Sequence, residues 1–164
     1  IESRDPGVLK EAQAALLQQK PLLISYESSP KEKLISETTW IAHCYNGDAL
    51  QARQGNPDID YIVPKEGTSI WIDSMAIPRR SSNPALAHAF INYILRPEVS
   101  AALAEFNGYA NPNRAARQSA KPESLADTVA YPPENVLARC KNLPPLNEED
   151  KKRLEDLWTE VKSK

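Results

Sequence analysis

The sequence predicts an α/β protein on three observations. Short apolar runs stop at proline or at Asn-Gly, and longer stretches repeat apolar residues every three or four positions. The two kinds interleave along the chain, as they do where strands and helices pack in layers. Fourteen prolines against five glycines supply most of the punctuation, because many of the prolines flank the periodic segments and form no tract. No internal repeat is visible.

Asp5-Pro6 opens the first predicted helix. The aspartate can accept from unpaired first-turn N–H groups, and proline has no N–H to leave unpaired there. Val8, Leu9, Ala12 and Leu16 recur at helical spacing, and Pro21 stops the pattern. Residues 22–26 read as a short buried strand, 28–33 as a polar turn and 34–38 as a connector. Residues 40–45 are a second predicted strand, ended by Asn46-Gly47, and 48–54 one or two helical turns ended by Gly55. Residues 59–63 are a third strand closed by Pro64, Lys65-Glu66-Gly67 a turn, and 69–77 a longer strand with Ile70, Ile72, Met75 and Ile77 apolar.

Helices follow. Asn83-Pro84 caps and starts one, with Leu86, Phe90, Tyr93 and Ile94 on one face. Arg96-Pro97 starts the next, with Val99, Leu103 and Phe106 predicted inward and Gly108 just past its end. Residues 109–118 read as irregular and 122–141 as a short helix with loops. Asn147 caps the last helix, where Glu148, Glu149 and Asp150 complement the positive end of the dipole. Leu154, Leu157, Trp158 and Val161 form its apolar stripe.

Composition narrows the function classes. The 164 residues suffice for one domain or a large piece of two. Twenty basic against 22 acidic residues give a net charge of −2, which lacks the basic excess of a nucleic-acid-binding surface. No apolar run approaches the roughly 20 residues that span a bilayer. No secretory leader is recognisable, so an exported protein is expected here in mature or truncated form. Cys44 and Cys140 fit no zinc or redox spacing. They could be two unpaired core residues. In an oxidising compartment they could instead close a loop that chain-entropy arguments value at about 4–5 kcal/mol.

The segment richest in chemistry is Ser69-Ile70-Trp71-Ile72-Asp73-Ser74. Side chains alternate along a strand, so Trp71 and Asp73 share one face while Ile70 and Ile72 share the other. With the apolar face inward, an indole stands beside a carboxylate. An aromatic face attracts an organic cation by about 0.5–2 kcal/mol, and the carboxylate adds a charge-assisted hydrogen bond. An ordinary surface Trp and Asp at a strand end would give the same pattern. Tyr45, before Asn46-Gly47, and Tyr109, after Asn107-Gly108, sit at element ends where they could line a cleft or simply pack. No catalytic residue is expected. His43, Asp48 and Ser74 could be imagined as a triad, but no nucleophile elbow surrounds Ser74. No His pair, Cys cluster or Asp-rich loop suggests a metal, and no glycine spacing suggests a phosphate or cofactor loop.

Several motifs then occur in a familiar order. Asn46-Gly47-Asp48-Ala49 is followed by Ala52-Arg53-Gln54, Val63-Pro64-Lys65-Glu66-Gly67, and Trp71-Ile72-Asp73-Ser74-Met75-Ala76-Ile77-Pro78. Residues 87–97 end in Leu95-Arg96-Pro97. Asn107-Gly108-Tyr109-Ala110-Asn111-Pro112-Asn113, then Ala115-Ala116-Arg117, and later Tyr131-Pro132 complete the series. The series resembles the spermidine/putrescine-binding proteins of bacterial ABC importers, most clearly between residues 46 and 117.

The resemblance implies an α/β fold of the type II periplasmic-binding-protein kind, in which two lobes hold a solute between them. It implies that residues 1–70 and 123–164 belong to the second lobe, and that 71–122 form a crossover strand and helices returning to the first. Family members are about twice as long, so this chain matches their C-terminal half, and most of the first lobe is an expected missing partner. The implied ligand is a polyamine, with Asp73 on an ammonium group and Trp71, Tyr45 and Tyr109 boxing the methylenes. Tyr45 stands where the family often has tryptophan, and a glutamine that some members carry has no secure match near residues 139–143. An ABC permease is the implied protein partner, and the location is periplasmic or extracytoplasmic. Another amine, an anion or a metal complex remains an alternative cargo, as does a sensor or structural role for the same lobe.

Overall fold

The computed structural model describes residues 4–164. Its α-helices are α1 (Pro6–Gln19), α2 (Lys31–Ile35), α3 (Asn46–Gly55), α4 (Pro84–Ile94), α5 (Pro97–Asn107), α6 (Pro122–Ala126), α7 (Glu134–Leu137) and α8 (Glu148–Ser163). Two tighter 3-10 turns, Lys20–Leu22 and Ala116–Gln118, join them. The chain forms two units.

The first unit takes the described residues up to Glu27 together with Asn142–Lys164. Asp5 caps α1 as predicted, accepting from the backbone N–H groups of Gly7 at 2.7 Å and Val8 at 3.1 Å. Asn147 caps α8 by accepting from the Asp150 N–H at 2.8 Å. The two helices pack with Leu9 and Val161 buried. Lys20 Nζ donates to the carbonyls of Val161 (2.9 Å) and Lys162 (2.7 Å), where the last turn of α8 has no intrahelical partner for them. Gln13 donates to Glu160 at 2.8 Å, and Lys164 pairs with the same carboxylate. These bonds, Lys164 first, hold the Glu160 carboxyl below its ordinary range. Tyr26 meets the edge of Trp158 at 4.9 Å. Val161 is the one large side chain fully buried among the described residues. Val161→Ala is expected to lose about 1.5–3 kcal/mol of local stability. A lower melting temperature, with amide exchange accelerated chiefly in α1 and α8, checks this.

The second unit is Ser28–Lys141. Its interior is built from small residues, which lets backbones approach closely. Gly47, Ala49 and Ala52 are buried on α3, Ser100 and Ala101 on α5, and Ala116 in the following 3-10 turn. Ile35 of α2 covers Gly55 at the end of α3, so that a methyl there would meet its side chain at 3.0 Å. Arg53 ties α3 to two loops. Its Nε donates to the Ile59 carbonyl at 3.1 Å, and its guanidinium pairs with Asp60 (3.1 Å) and Asp127 (3.5 Å). Buried Asn111 donates to Ser100 O at 2.7 Å and accepts from the Asn113 N–H at 2.9 Å, fixing the irregular stretch after α5.

The predicted strands are corrected. Residues 22–26, 40–45, 59–63 and 69–77 form no ladder, and the backbone pairing among the described residues is one isolated parallel bridge, Ser69 with Lys141. Leu22 lies instead in a 3-10 turn. A strand needs neighbours for its N–H and C=O groups, and periodicity reports apolar content without reporting whether a neighbour exists. Trp40 and Ile41 are accordingly 90% exposed. Three smaller expectations also change. Residues 31–35, predicted as turn and connector, form α2. Asn83 makes no side-chain cap bond, so Pro84 alone starts α4. Leu103 and Phe106 on α5, predicted inward, face outward, as does the shared face of Leu86, Phe90 and Tyr93 on α4. No helix among the described residues is long and apolar enough to cross a membrane.

Candidate functional site

The second unit brings together three aromatics that lie far apart in sequence. Tyr45 immediately precedes α3 with extended backbone (φ −74°, ψ 150°). The helix start beneath it is anchored by Asn46, whose amide donates to the Val129 carbonyl at 3.0 Å. Trp71 follows the Ser69–Lys141 bridge, where Ile70 N–H donates to Lys141 O and Lys141 N–H to Thr68 O, both at 3.0 Å. Tyr109 follows Gly108, the left-handed residue (φ 76°) that ends α5. The Tyr109 N–H donates to Asn107 Oδ1 at 2.9 Å, and Gln51 of α3 donates to the Asn107 carbonyl at 3.0 Å.

The Trp71 ring lies 4.8 Å from Tyr45 and 6.2 Å from Tyr109, both edge-on at 61° and 73°. Such contacts favour a fixed arrangement of rings over a loose one. Trp71 is 42% exposed and Tyr45 50%, so each keeps a face for a ligand.

Two carboxylates act electrostatically on the Tyr109 phenol of this cluster. Burial raises the Tyr109 phenol above its ordinary pKa, and Asp48, Tyr45, Asp73 and Cys44 push it further in that order. The phenol therefore stays protonated through neutral pH and can donate a hydrogen bond. Asp73 acts on the same phenol whose ring meets Trp71 edge-on, while Ile70 and Ile72, predicted to face inward, are exposed. Asp48 is the residue that the sequence reading used only as a helix-start or triad candidate. Its place in the first turn of α3, just after Tyr45-Asn46-Gly47, is the signal for it. Burial, and Asp48 after it, also raise the Cys44 thiol. Cys44 and Cys140 are both free thiols.

No group of His, Cys, Asp and Glu suited to a metal ion occurs among the described residues. A cavity of about 350 Å³ is lined by Tyr109 together with Leu50, Ala101, Gly108, Arg117 and Tyr131 among others. Trp71, Tyr45 and Asp73 do not line it. Arg117 is engaged there over the Tyr131 ring at 5.2 Å, and Glu105 pairs with Lys121 at 3.0 Å. The cavity's charges are thus partly committed to each other, whereas the aromatic cluster presents open ring faces.

Half-exposed aromatic rings of this kind can take an organic cation on their faces. The chain belongs to the bacterial extracellular solute-binding protein family, whose sequence pattern it matches over residues 8–133. It is 35% identical over 165 residues to a putrescine/cadaverine-binding protein of Pseudomonas aeruginosa, covering 96% of this chain and 47% of that protein. It is 36% identical over 129 residues to a spermidine/putrescine-binding periplasmic protein of Escherichia coli, covering 78% of this chain and 37% of that protein. Among solved structures, it resembles a putative spermidine/putrescine ABC transporter from Listeria monocytogenes with a TM-score of 0.89 and 27% identity, over 98% of this chain and 50% of that one. The chain spans about half the length of the relatives it matches, or less, and shares their fold over that span.

Proposed function

We propose that this chain is the C-terminal part of a receptor that captures a polyamine such as putrescine or spermidine outside the cytoplasmic membrane and delivers it to an ABC permease. The observation that carries the reading is the Tyr45–Trp71–Tyr109 cluster with Asp73 and Asp48 beside it. A polyamine is a methylene chain between ammonium groups. Edge-to-face rings bury the methylenes, and the carboxylates pair with the charged ends. The names of the similar proteins support the ligand class and the periplasmic location.

In this reading residues 1–70 and 123–164 contribute to one lobe, and 71–122 to the crossover and the helices of the other. The remainder of the first lobe completes the cleft and covers the outward apolar faces of Trp40, Ile41, Leu86 and Phe90. Closure of the lobes removes water from the cation and strengthens its contacts with Asp73 and the rings. The role is capture and release, with no chemical step, and no cofactor takes part.

Calorimetric titration of the whole protein tests this. Putrescine or spermidine is expected to bind with micromolar or tighter affinity, roughly −8 kcal/mol or better. Amino acids, anions and ferric iron are expected to leave it unchanged. Binding of one of these in place of the polyamines would reassign the cargo, and no binding of any of them would favour a non-transport role for the lobe.

A further inference from the structure

We infer that Gly47 is the seat of the Tyr109 ring and sets the spacing of the aromatic cluster; the inference deepens the polyamine reading and takes its ligand from it. A Cβ on Gly47 would lie 2.5 Å from Tyr109 Cε2, 2.6 Å from Cζ and 2.8 Å from Cδ2. These are ring carbons, and the ring is hemmed in by Trp71 at 6.2 Å and by its own backbone bond to Asn107. Carbon atoms settle at about 3.5–4.0 Å, so a methyl at Gly47 must displace the ring by roughly 1 Å.

The backbone beneath repeats the same requirement. Gly108 meets Gly47 directly: a Cβ there would stand 3.0 Å from the Gly47 carbonyl oxygen and 3.3 Å from its Cα. Gly108 also holds the left-handed conformation that turns the chain from α5 into Tyr109. Two glycines in contact therefore let the start of α3 and the end of α5 approach until the Tyr109 ring lies against Gly47 and beside Trp71. The Gln51 bond to the Asn107 carbonyl holds that approach. Gly47 acts through the ring, which makes it a positioning residue.

The test is a double-mutant cycle in the whole protein, with putrescine and spermidine as probes. Gly47→Ala is expected to weaken binding about five- to tenfold, the scale of one displaced aromatic contact. In a Tyr109→Ala background the same substitution should change affinity less than about twofold, because no ring remains to be moved. Equal losses in both backgrounds, or no loss in either, would overturn the inference. If Gly47→Ala does not fold, recovery of a cooperative melt in Gly47→Ala/Tyr109→Ala supports it, and failure of the double variant overturns it. If the unaltered protein binds neither polyamine, the functional reading fails and near-UV circular dichroism decides the positioning role separately. A Gly47→Ala change in the aromatic band that needs Tyr109 upholds it, and an unchanged band ends it.

Discussion

Asp73→Ala is expected to weaken polyamine binding on the order of a hundredfold, while leaving the melting temperature nearly unchanged. The two halves of that result have different causes. Removing a carboxylate from a desolvated ammonium loses a charge-assisted hydrogen bond and leaves the cation unpaired, a loss of about 2–5 kcal/mol in closed sites. The folded chain spends nothing comparable on Asp73. The side chain is exposed, and no ion pair holds it among the described residues. Asp73→Asn should fall between the two, since the amide oxygen still accepts but carries no charge. Asp48→Asn provides the comparison. It acts on the same Tyr109 phenol from the first turn of α3. If both carboxylates serve the ligand, the two variants should lose affinity to different extents for putrescine and spermidine, whose charged ends differ in number and spacing. Isothermal titration at fixed ionic strength measures this. Undiminished affinity in Asp73→Ala would remove it from the site.

Much of the local structure was legible in the sequence. Asp5 and Asn147 cap their helices as their residue types predict, and Pro6, Pro84 and Pro97 stand at helix starts where a missing N–H costs nothing. Gly108 ends α5 in the left-handed conformation its position called for. Tyr45 and Tyr109 could be singled out by their places next to turns and Trp71 by its alternation with Asp73 in an expected strand, and the structure draws the three rings together. The four strands were not legible, because a strand is a property of a pair. Residues 40–45 and 59–63 carry the apolar pattern but have no backbone ladder, and Trp40, Ile41 and Ile62 stand in the open. The inward face predicted for α5 failed for a related reason, with Leu103 and Phe106 exposed. A helical stripe shows which residues could be covered and leaves open what would cover them. Asp48 was missed because an acid in a first turn has a sufficient local explanation in the helix dipole. Only its nearness to the Tyr109 phenol reveals a second use. Gly47 was read as a stop signal, and the ring lying on it has no trace in its own neighbourhood of the sequence.

Gly67→Ala is expected to be the most destabilising single substitution considered, at about 3–5 kcal/mol, and to impair binding as well. Gly67 closes the Pro64–Gly67 turn through a 2.9 Å backbone bond at φ 88°, a conformation that costs other L-residues roughly 1–2 kcal/mol. Space excludes a side chain more firmly than the torsion does. An added Cβ would lie 1.9 Å from the Arg139 carbonyl oxygen and 2.8 Å from its carbon, both backbone atoms that cannot rotate away. Residues 67 and 139 must then separate, and Thr68–Lys141 and Ile70–Lys141, one and three residues on, lose their bonds at about 1 kcal/mol each. For a chain of this size such a loss lowers the melting temperature by about 10 °C. Amide exchange at Ile70 and Lys141 should accelerate before exchange at Ala52 or Ala101, which lie buried on α3 and α5. The effect on ligand follows from geometry. The bridge freed by the substitution is what fixes the segment running from Ser69 through Trp71 to Asp73. Affinity should therefore fall even at temperatures where the protein remains folded, and it should fall for every polyamine alike, since the indole and the carboxylate move together. A Gly67→Ala protein that melted within a degree or two of the original and bound normally would mean that the Pro64–Gly67 turn and the Ser69–Lys141 bridge do not hold the site.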